Sequence, residues 1–434
     1  MRAWWVKVLL LFVLSAAIEA ASVTLYWQAA TGPLAGAIDE HTAALERGVI
    51  PPASEIDIEN DPWVSVAHFE SSFGQAITLV DLVMGILVAL VFLFGGVSAA
   101  LAKYARELSS NVHLSRALYF IFFVLVITCI DLPLAASGPI IEMLRGTGFA
   151  MPGYVIFGFF QELSISVIFT IAVFVPLYSI MDRFPKWWWA IGALFMSLVT
   201  AFTTFVGPVL IEPLYYELKP LESFEGGEIR AALVDVVSAA DIPMERVYVA
   251  AVSGATFESN AMVVGLGATK RIVLDDTLIM FYTPREIRGI VAHETGHYVL
   301  GHLWIDLAAA TVLTFVSFYI LSSVLSAFVR RFGTHIGAAR VNDVVLFPIL
   351  GVVFFYLSLL ISPATSALSR SLEQQADAYA LTIANDAEAS ANGLRKLAYQ
   401  SFVDVDPPPL LQFWFGTHPP LKERIQFFER SGAR

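Results

Sequence analysis

The stretch GIVAHETGHYVLGHLWIDLAAATVLTFVSFYILSSVL, residues 289–325, joins two kinds of sequence in one run. Its start carries His293, Glu294 and His297, while no charged residue occurs from Leu307 to Val329. A helix of about 20 apolar residues crosses the hydrocarbon core of a bilayer. A ligand-bearing helix therefore feeds straight into a membrane span, and the fold has to hold reactive side chains at a membrane face.

Working outward, the apolar signature recurs. Seven candidate spans lie near residues 4–27, 77–102, 117–137, 151–180, 187–212, 303–329 and 344–368. The 434 residues are 57% hydrophobic and only 15% charged, with a mean hydropathy of +0.69. Soluble domains carry about 25% charged residues. The expected fold class is a mostly α polytopic membrane protein with a small α+β catalytic domain. The first segment, MRAWWVKVLLLFVLSAAIEAAS, also has the basic start, apolar stretch and small residues of a cleaved signal peptide, but its apolar block continues to Trp27, which favours a retained span. Trp187, Trp188 and Trp189 after Lys186 read as an interfacial aromatic belt.

The net charge of −12 excludes nucleic acid as a partner, since no basic stripe meets phosphates. Cys129 is the single cysteine, so an intramolecular disulfide and a cysteine-based zinc site are both excluded. Any metal ligands are histidine and carboxylate. The chain divides into a membrane region 1–212 with an acidic loop 28–76, a soluble insertion 213–302, two spans over 303–368 and a helical tail 369–434. In the insertion, GGEIRAALVDVVSAADI has helical spacing, whereas RVYVAAV, NAMVVGLG and RIVLDD are short β-rich runs.

Thr283-Pro284-Arg285-Glu286 is a capping box with proline at the first helical position, so a helix starts there. On it His293 and His297 are four residues apart and leave the same face about 6 Å apart along the axis, a span that one tetrahedral Zn²⁺ bridges. Glu294 reaches a metal-activated water rather than the metal, the arrangement of a zinc-hydrolase helix with glutamate as general base. Catalytic zinc takes three protein ligands and water. After the last span, SRSLEQQADAYA returns the chain to the same membrane side, and Glu373 is the third candidate ligand. Asp377, one turn on, is placed to orient a ligand histidine. Spacing alone equally allows this pair to be a solvated acidic face.

VAHETGHYVLGH, SNAMVVGLGATKRIVLDDTL, SRSLEQQADAYA and THPPLKERI occur in an order and spacing that resembles the type 1 CAAX prenyl endopeptidase family, zinc proteases of the gluzincin group. The resemblance covers residues 190–434 closely and the span pattern loosely. It implies seven spans enclosing a chamber, one Zn²⁺ held by His293, His297 and Glu373, and Glu294 as catalytic base. It further implies that Asn260 holds the substrate backbone and that His418 and Arg424 line the active site. Peptide or protein segments, some lipid-modified, and membrane lipids are the implied partners. Two departures, Glu258 in SGATFESN and Tyr298 after the zinc motif, bear on prenyl specificity. The rival from another class is a non-catalytic transporter or scaffold binding zinc structurally.

His302 reads as a solvated or boundary residue ending the zinc helix. Asp131 and Glu162 lie inside spans, where ionisable groups face cavities; Asp81 and Asp306 read as boundary residues. With seven spans, the N-terminus and the loops near 103–116, 181–186 and 330–343 share one side. They hold Arg2, Lys7, Lys103, Arg106, Arg116, Arg183, Lys186, Arg330, Arg331 and Arg340 against Glu107, Asp182 and Asp343. Basic excess marks the cytoplasmic side. That expectation puts the zinc domain outside the cytoplasm of a bacterial inner membrane, opposite to the cytosolic placement the resemblance implies from eukaryotic members.

Overall fold

The computed structural model describes residues 4–135, 152–210, 217–224, 227–254 and 256–432. Its helices are α1 (Trp4–Ala30), α2 (Ala35–Glu46), α3 (Pro62–Phe94), α4 (Val97–Leu108), α5 (Val112–Ala135), α6 (Pro152–Arg183), α7 (Trp188–Leu210), α8 (Gly227–Ala239), α9 (Asp276–Phe281), α10 (Pro284–Val299), α11 (His302–Ile336), α12 (Phe347–Ala384), α13 (Ala387–Gln400), α14 (Pro409–Phe415) and α15 (Leu421–Gly432). Seven of these, α1, α3, α5, α6, α7, α11 and α12, are long and apolar enough to cross a membrane. Hydroxyls on them donate to the carbonyl four residues back, as Thr24 does to Ala20, Ser197 to Ala193 and Thr314 to Ala310. Where no water reaches, that is how a polar side chain is satisfied.

Span boundaries differ from the sequence expectation where the backbone breaks. The second span does not run over 77–102: α3 begins at Pro62 and stops at Phe94, and Gly96 turns the chain at φ +78°. The Lys7 ammonium donates to the Gly95 carbonyl at 2.9 Å. The next segment, α4, is a separate helix that buries Val97, Leu101 and Ala105. The last span continues unbroken from Phe347 to Ala384, so the position 368/369 lies inside one helix. Arg2, residues 136–137 of the third expected span, residue 151 of the fourth, 211–212 of the fifth and 213–216 of the insertion lie outside the described residues.

A ring of Phe120, Phe123, Phe174 and Phe347 locks α5, α6 and α12 together, with centroids 4.8–5.8 Å apart. Beside it a cavity of about 820 Å³ is lined by Glu19, Asp81, Asp131 and apolar residues including Phe92 and Tyr356. Asp81 thus faces the interior of the helix bundle with Asp131, not a membrane boundary.

The soluble part is one body. A four-stranded sheet has the order β1-β2-β4-β3, with β1 (Leu218–Pro220), β2 (Val247–Ala250), β3 (Ala261–Val264) and β4 (Arg271–Asp275). The β2–β4 pair is parallel, and β3 runs antiparallel to β4 from Ala261↔Leu274 to Val264↔Arg271, leaving β3 at an edge. The three β-rich runs of the insertion become β2, β3 and β4, while β1 carries no such signal. One core joins Leu233, Val249, Ile272, Val291, Ala380 and Ile425 with Ile38, Leu45, Trp63 and Val66 of the loop after α1. The acidic loop is therefore a folded cap on the soluble half.

Candidate metal centre

The helix that carries the histidines starts as its sequence dictates. The Thr283 hydroxyl accepts from the Glu286 N–H at 3.3 Å, and the Glu286 carboxylate accepts from the Thr283 N–H at 2.8 Å. Lys396 from α13 reaches the same carboxylate at 2.7 Å, so this end is pinned to the tail. Further along, α10 crosses α12 at Gly296. A Cβ there would lie 3.0 Å from the Tyr379 ring and 3.3 Å from the Ala376 Cα. Glycine lets the two helices approach, and that approach brings His293 and His297 to Glu373.

The two imidazoles and both oxygens of the Glu373 carboxylate converge. His293 Nε2 lies 3.2 Å from His297 Nε2 and 3.2 Å from Glu373 Oε2, and His297 Nε2 lies 3.3 Å from Glu373 Oε1. One donor atom from each of the three residues lies within 4.8 Å of the other two, a grouping that one divalent ion can draw together. Glu373 is 6% exposed, and among the described residues its Oε2 has only ion contacts, 3.2 Å to His293 Nε2 and 3.7 Å to Arg424 Nη1. A buried carboxylate needs such cationic neighbours, and a metal ion would take the place of the proton on His293. The donor set fits a divalent metal.

Asp377 holds His293 from behind, its Oδ1 2.9 Å from Nδ1. Arg424 in turn donates to both Asp377 oxygens, at 2.8 and 2.7 Å. His293 is thereby fixed with Nδ1–H toward Asp377 and Nε2 toward the metal position. Burial alone would lower the His293 pKa, but Asp377 and Glu373 outweigh it and push it up to about 9 when no metal is bound. The sequence alternative of a solvated acidic face for Glu373 and Asp377 is overturned, since both carboxylates are buried and point at histidines.

His293 and Glu294 share a cleft of about 470 Å³ with Asn260, His418 and Arg424. Burial raises the Glu294 carboxyl above the ordinary range, opposed by the two imidazoles. His418 Nε2 lies 3.4 Å from Glu373 Oε1, and burial lowers its pKa from the ordinary imidazole value, opposed by Glu373. Asn260 stands at the start of the edge strand β3, its side-chain oxygen accepting from the Ala261 N–H at 2.9 Å. The structure thus brings all eight sequence candidates to one place.

Two contributors escaped the sequence reading. His302 does not end the zinc helix and is not solvated: α10 stops at Val299, and His302 begins α11 at 1% exposure with Nδ1 3.0 Å from His297 Nδ1. Asp306, one turn further, lies on the same stretch of α11. Gln400 is buried on α13; it accepts from the Tyr282 hydroxyl at 2.7 Å and donates to the Phe257 carbonyl and the Ser259 hydroxyl. It anchors the segment that leads into Asn260. No local motif marks it.

Comparison with known proteins agrees with this geometry. Residues 224–431 match peptidase family M48, and residues 72–217 match the CAAX prenyl protease N-terminal region of five membrane helices. The chain is 34% identical over 263 residues to an uncharacterized metalloprotease, YhfN, of Bacillus subtilis, covering 61% of each. It is 30% identical over 239 residues to a CAAX prenyl protease 1 homolog of Arabidopsis thaliana (54% of each) and 29% identical over 264 residues to CAAX prenyl protease 1 of Saccharomyces cerevisiae (57% of each). The matched part thus spans between 54 and 61% of these relatives. The crystal structure of S. mikatae Ste24p superposes with a TM-score of 0.73 over 98% of both chains; at 20% identity the likeness is one of fold.

Proposed function

Because the chain belongs to peptidase family M48, with a CAAX prenyl protease membrane region ahead of its peptidase region, we propose that it is an integral-membrane zinc metalloendopeptidase. Its substrates are membrane-associated or C-terminal segments of proteins. The observation that carries this reading is the convergence of His293, His297 and Glu373 at a cleft lined by His293 and Glu294. A structural zinc site closes on four protein donors, whereas among the described residues three gather here, which disfavours the scaffold alternative.

His293, His297 and Glu373 hold the ion, and zinc in that place supplies Lewis-acid activation of water and of the scissile carbonyl. Glu294, its basicity strengthened by burial, takes the proton of the attacking water and returns it to the leaving amine. Asp377 and Arg424 keep His293 oriented. His418, at the cleft wall, donates toward the oxygen that gains charge. A substrate strand adds to the free edge of β3 beside Asn260, so main-chain hydrogen bonds give affinity with little sequence demand. Residues 213–302 and 369–434 form the peptidase unit, carried by membrane regions 1–212 and 303–368. Relatives named CAAX prenyl protease bring lipid-modified ends into the substrate class, though Glu258 and Tyr298 depart from that pattern. The charge pattern favours an extracytoplasmic catalytic face in a bacterial inner membrane.

Glu294→Gln tests the proposal. Zinc should stay bound while peptide cleavage falls by about a hundredfold or more, as on losing a general base. Undiminished cleavage would overturn the assignment of Glu294, and absence of both zinc and cleavage in the unaltered protein would overturn the reading as a whole.

A further inference from the structure

We infer that His302 is a positioning residue for His297: its imidazole accepts the Nδ1 proton of His297 and thereby fixes which nitrogen of His297 meets the metal. The inference rests on His297 being a metal ligand and not on the protease activity.

In an unbroken helix, a residue five positions after His297 points roughly 140° away from it. Here the helix breaks. Gly301 takes φ +73°, a conformation that other L residues adopt only with strain, and the chain restarts at His302 as the first residue of α11. The turn folds His302 back onto His297, with ring centroids 4.9 Å apart and planes at 81°. The two Nδ1 atoms lie 3.0 Å apart.

The chemistry assigns the roles. His297 Nε2 points at His293 and Glu373, where the metal belongs. In a neutral His297 the proton then sits on Nδ1 and is donated to the facing atom, His302 Nδ1. His302 accepts and carries its own proton on Nε2, a buried nitrogen that makes no hydrogen bond among the described residues. His293 has Asp377 for this task, and His297 has no carboxylate within reach of its Nδ1 among the described ion pairs. Since His302 opens α11, the same bond ties the ligand to the first residue of a membrane helix, so tilt of that span is felt at the metal.

The test compares His302→Phe, which fills the space without an acceptor, with His302→Asn, whose side-chain oxygen falls near the Nδ1 position. Zinc affinity is measured on the full-length protein in detergent by competition with a chelator, alongside thermal unfolding of the metal-free forms. Loss of an outer partner of a ligand histidine weakens metal binding about 10–100-fold. His302→Phe should show that loss and His302→Asn should recover most of it, with metal-free unfolding temperatures alike. Wild-type affinity in His302→Phe would overturn the inference. So would equal loss in both variants, which would mark His302 as packing only. A wild-type protein that fails to bind zinc would instead sink the metal site itself.

Discussion

At His293 a proton and a metal ion compete for one nitrogen. Nδ1–H faces Asp377, so the pKa of about 9 belongs to Nε2, which faces Glu373. A histidine whose folded-state pKa is raised stabilises the fold below its ordinary pKa near 6.5, and that gain disappears as pH rises through 9. The metal-free protein should therefore lose stability between these values, and the zinc-bound form should not. By the same sign, zinc must displace the proton at neutral pH. Affinity should rise about tenfold per pH unit from 6.5 toward 9, with one proton released per ion. Calorimetry in two buffers of different ionisation enthalpy counts that proton. A flat affinity between pH 6.5 and 8.5 would mean that the two carboxylates do not hold His293 charged. Spacing made His293 and His297 legible, because a four-residue interval on a helix fixes a face. Glu373 needed the return of the chain after the last span and the family resemblance, since its own spacing equally allowed a solvated face. His302 was not legible, since the interval of five is wrong for a helix and becomes right only through the turn at Gly301.

The site exists because two helices touch. The crossing of α10 and α12 at Gly296 leaves no room for a side chain, with Tyr379 and Ala376 against the missing Cβ. Gly296→Val should push the helices apart, cost about 1–3 kcal/mol of stability as overpacking does, and abolish stoichiometric zinc binding. Thermal unfolding and metal analysis of the purified variant check this; full zinc occupancy with unchanged stability would refute it. Thr283→Ala acts at the start of the same helix. It removes the hydroxyl acceptor of the capping box and should cost about 1 kcal/mol while leaving zinc affinity near normal, because Lys396 still holds Glu286. Helix starts were legible where a cap marks them. Helix ends were not: the apolar run through Gly95 and Gly96 hid a break, and the change from apolar to polar at 368/369 suggested one where α12 continues. Hydropathy reports what surrounds a helix, not whether its backbone goes on.

The whole molecule has one undecided coordinate, the side of the membrane its cleft faces. The number and approximate places of the spans were legible from apolar blocks, whereas the packing of the acidic loop was not, because its contacts are long-range. That packing now constrains the question. The Trp63 and Tyr399 ring centroids lie 5.9 Å apart, His68 pairs with Asp404 at 3.1 Å, and Glu59 with Lys422 at 2.9 Å, so loop and cleft-bearing half share a side. Ser110, between α4 and α5, is on the opposite side with the basic loops. In a Cys129→Ser background, single cysteines at Ser54, Ser110 and Glu245 report the orientation in intact cells through a membrane-impermeant thiol reagent. Ten basic against three acidic residues on the Ser110 side predict labelling at positions 54 and 245 and protection at 110. The reverse pattern would refute the charge argument and make cytosolic, lipid-modified protein ends the leading substrates. Positions 54 and 245 flank Ile56 and Met244, which pack in one hydrophobic core, so they must agree with each other whichever side they take. A split between them would contradict the fold, not the orientation, which makes the pair an internal control on the three-dimensional arrangement from which the cleft is built.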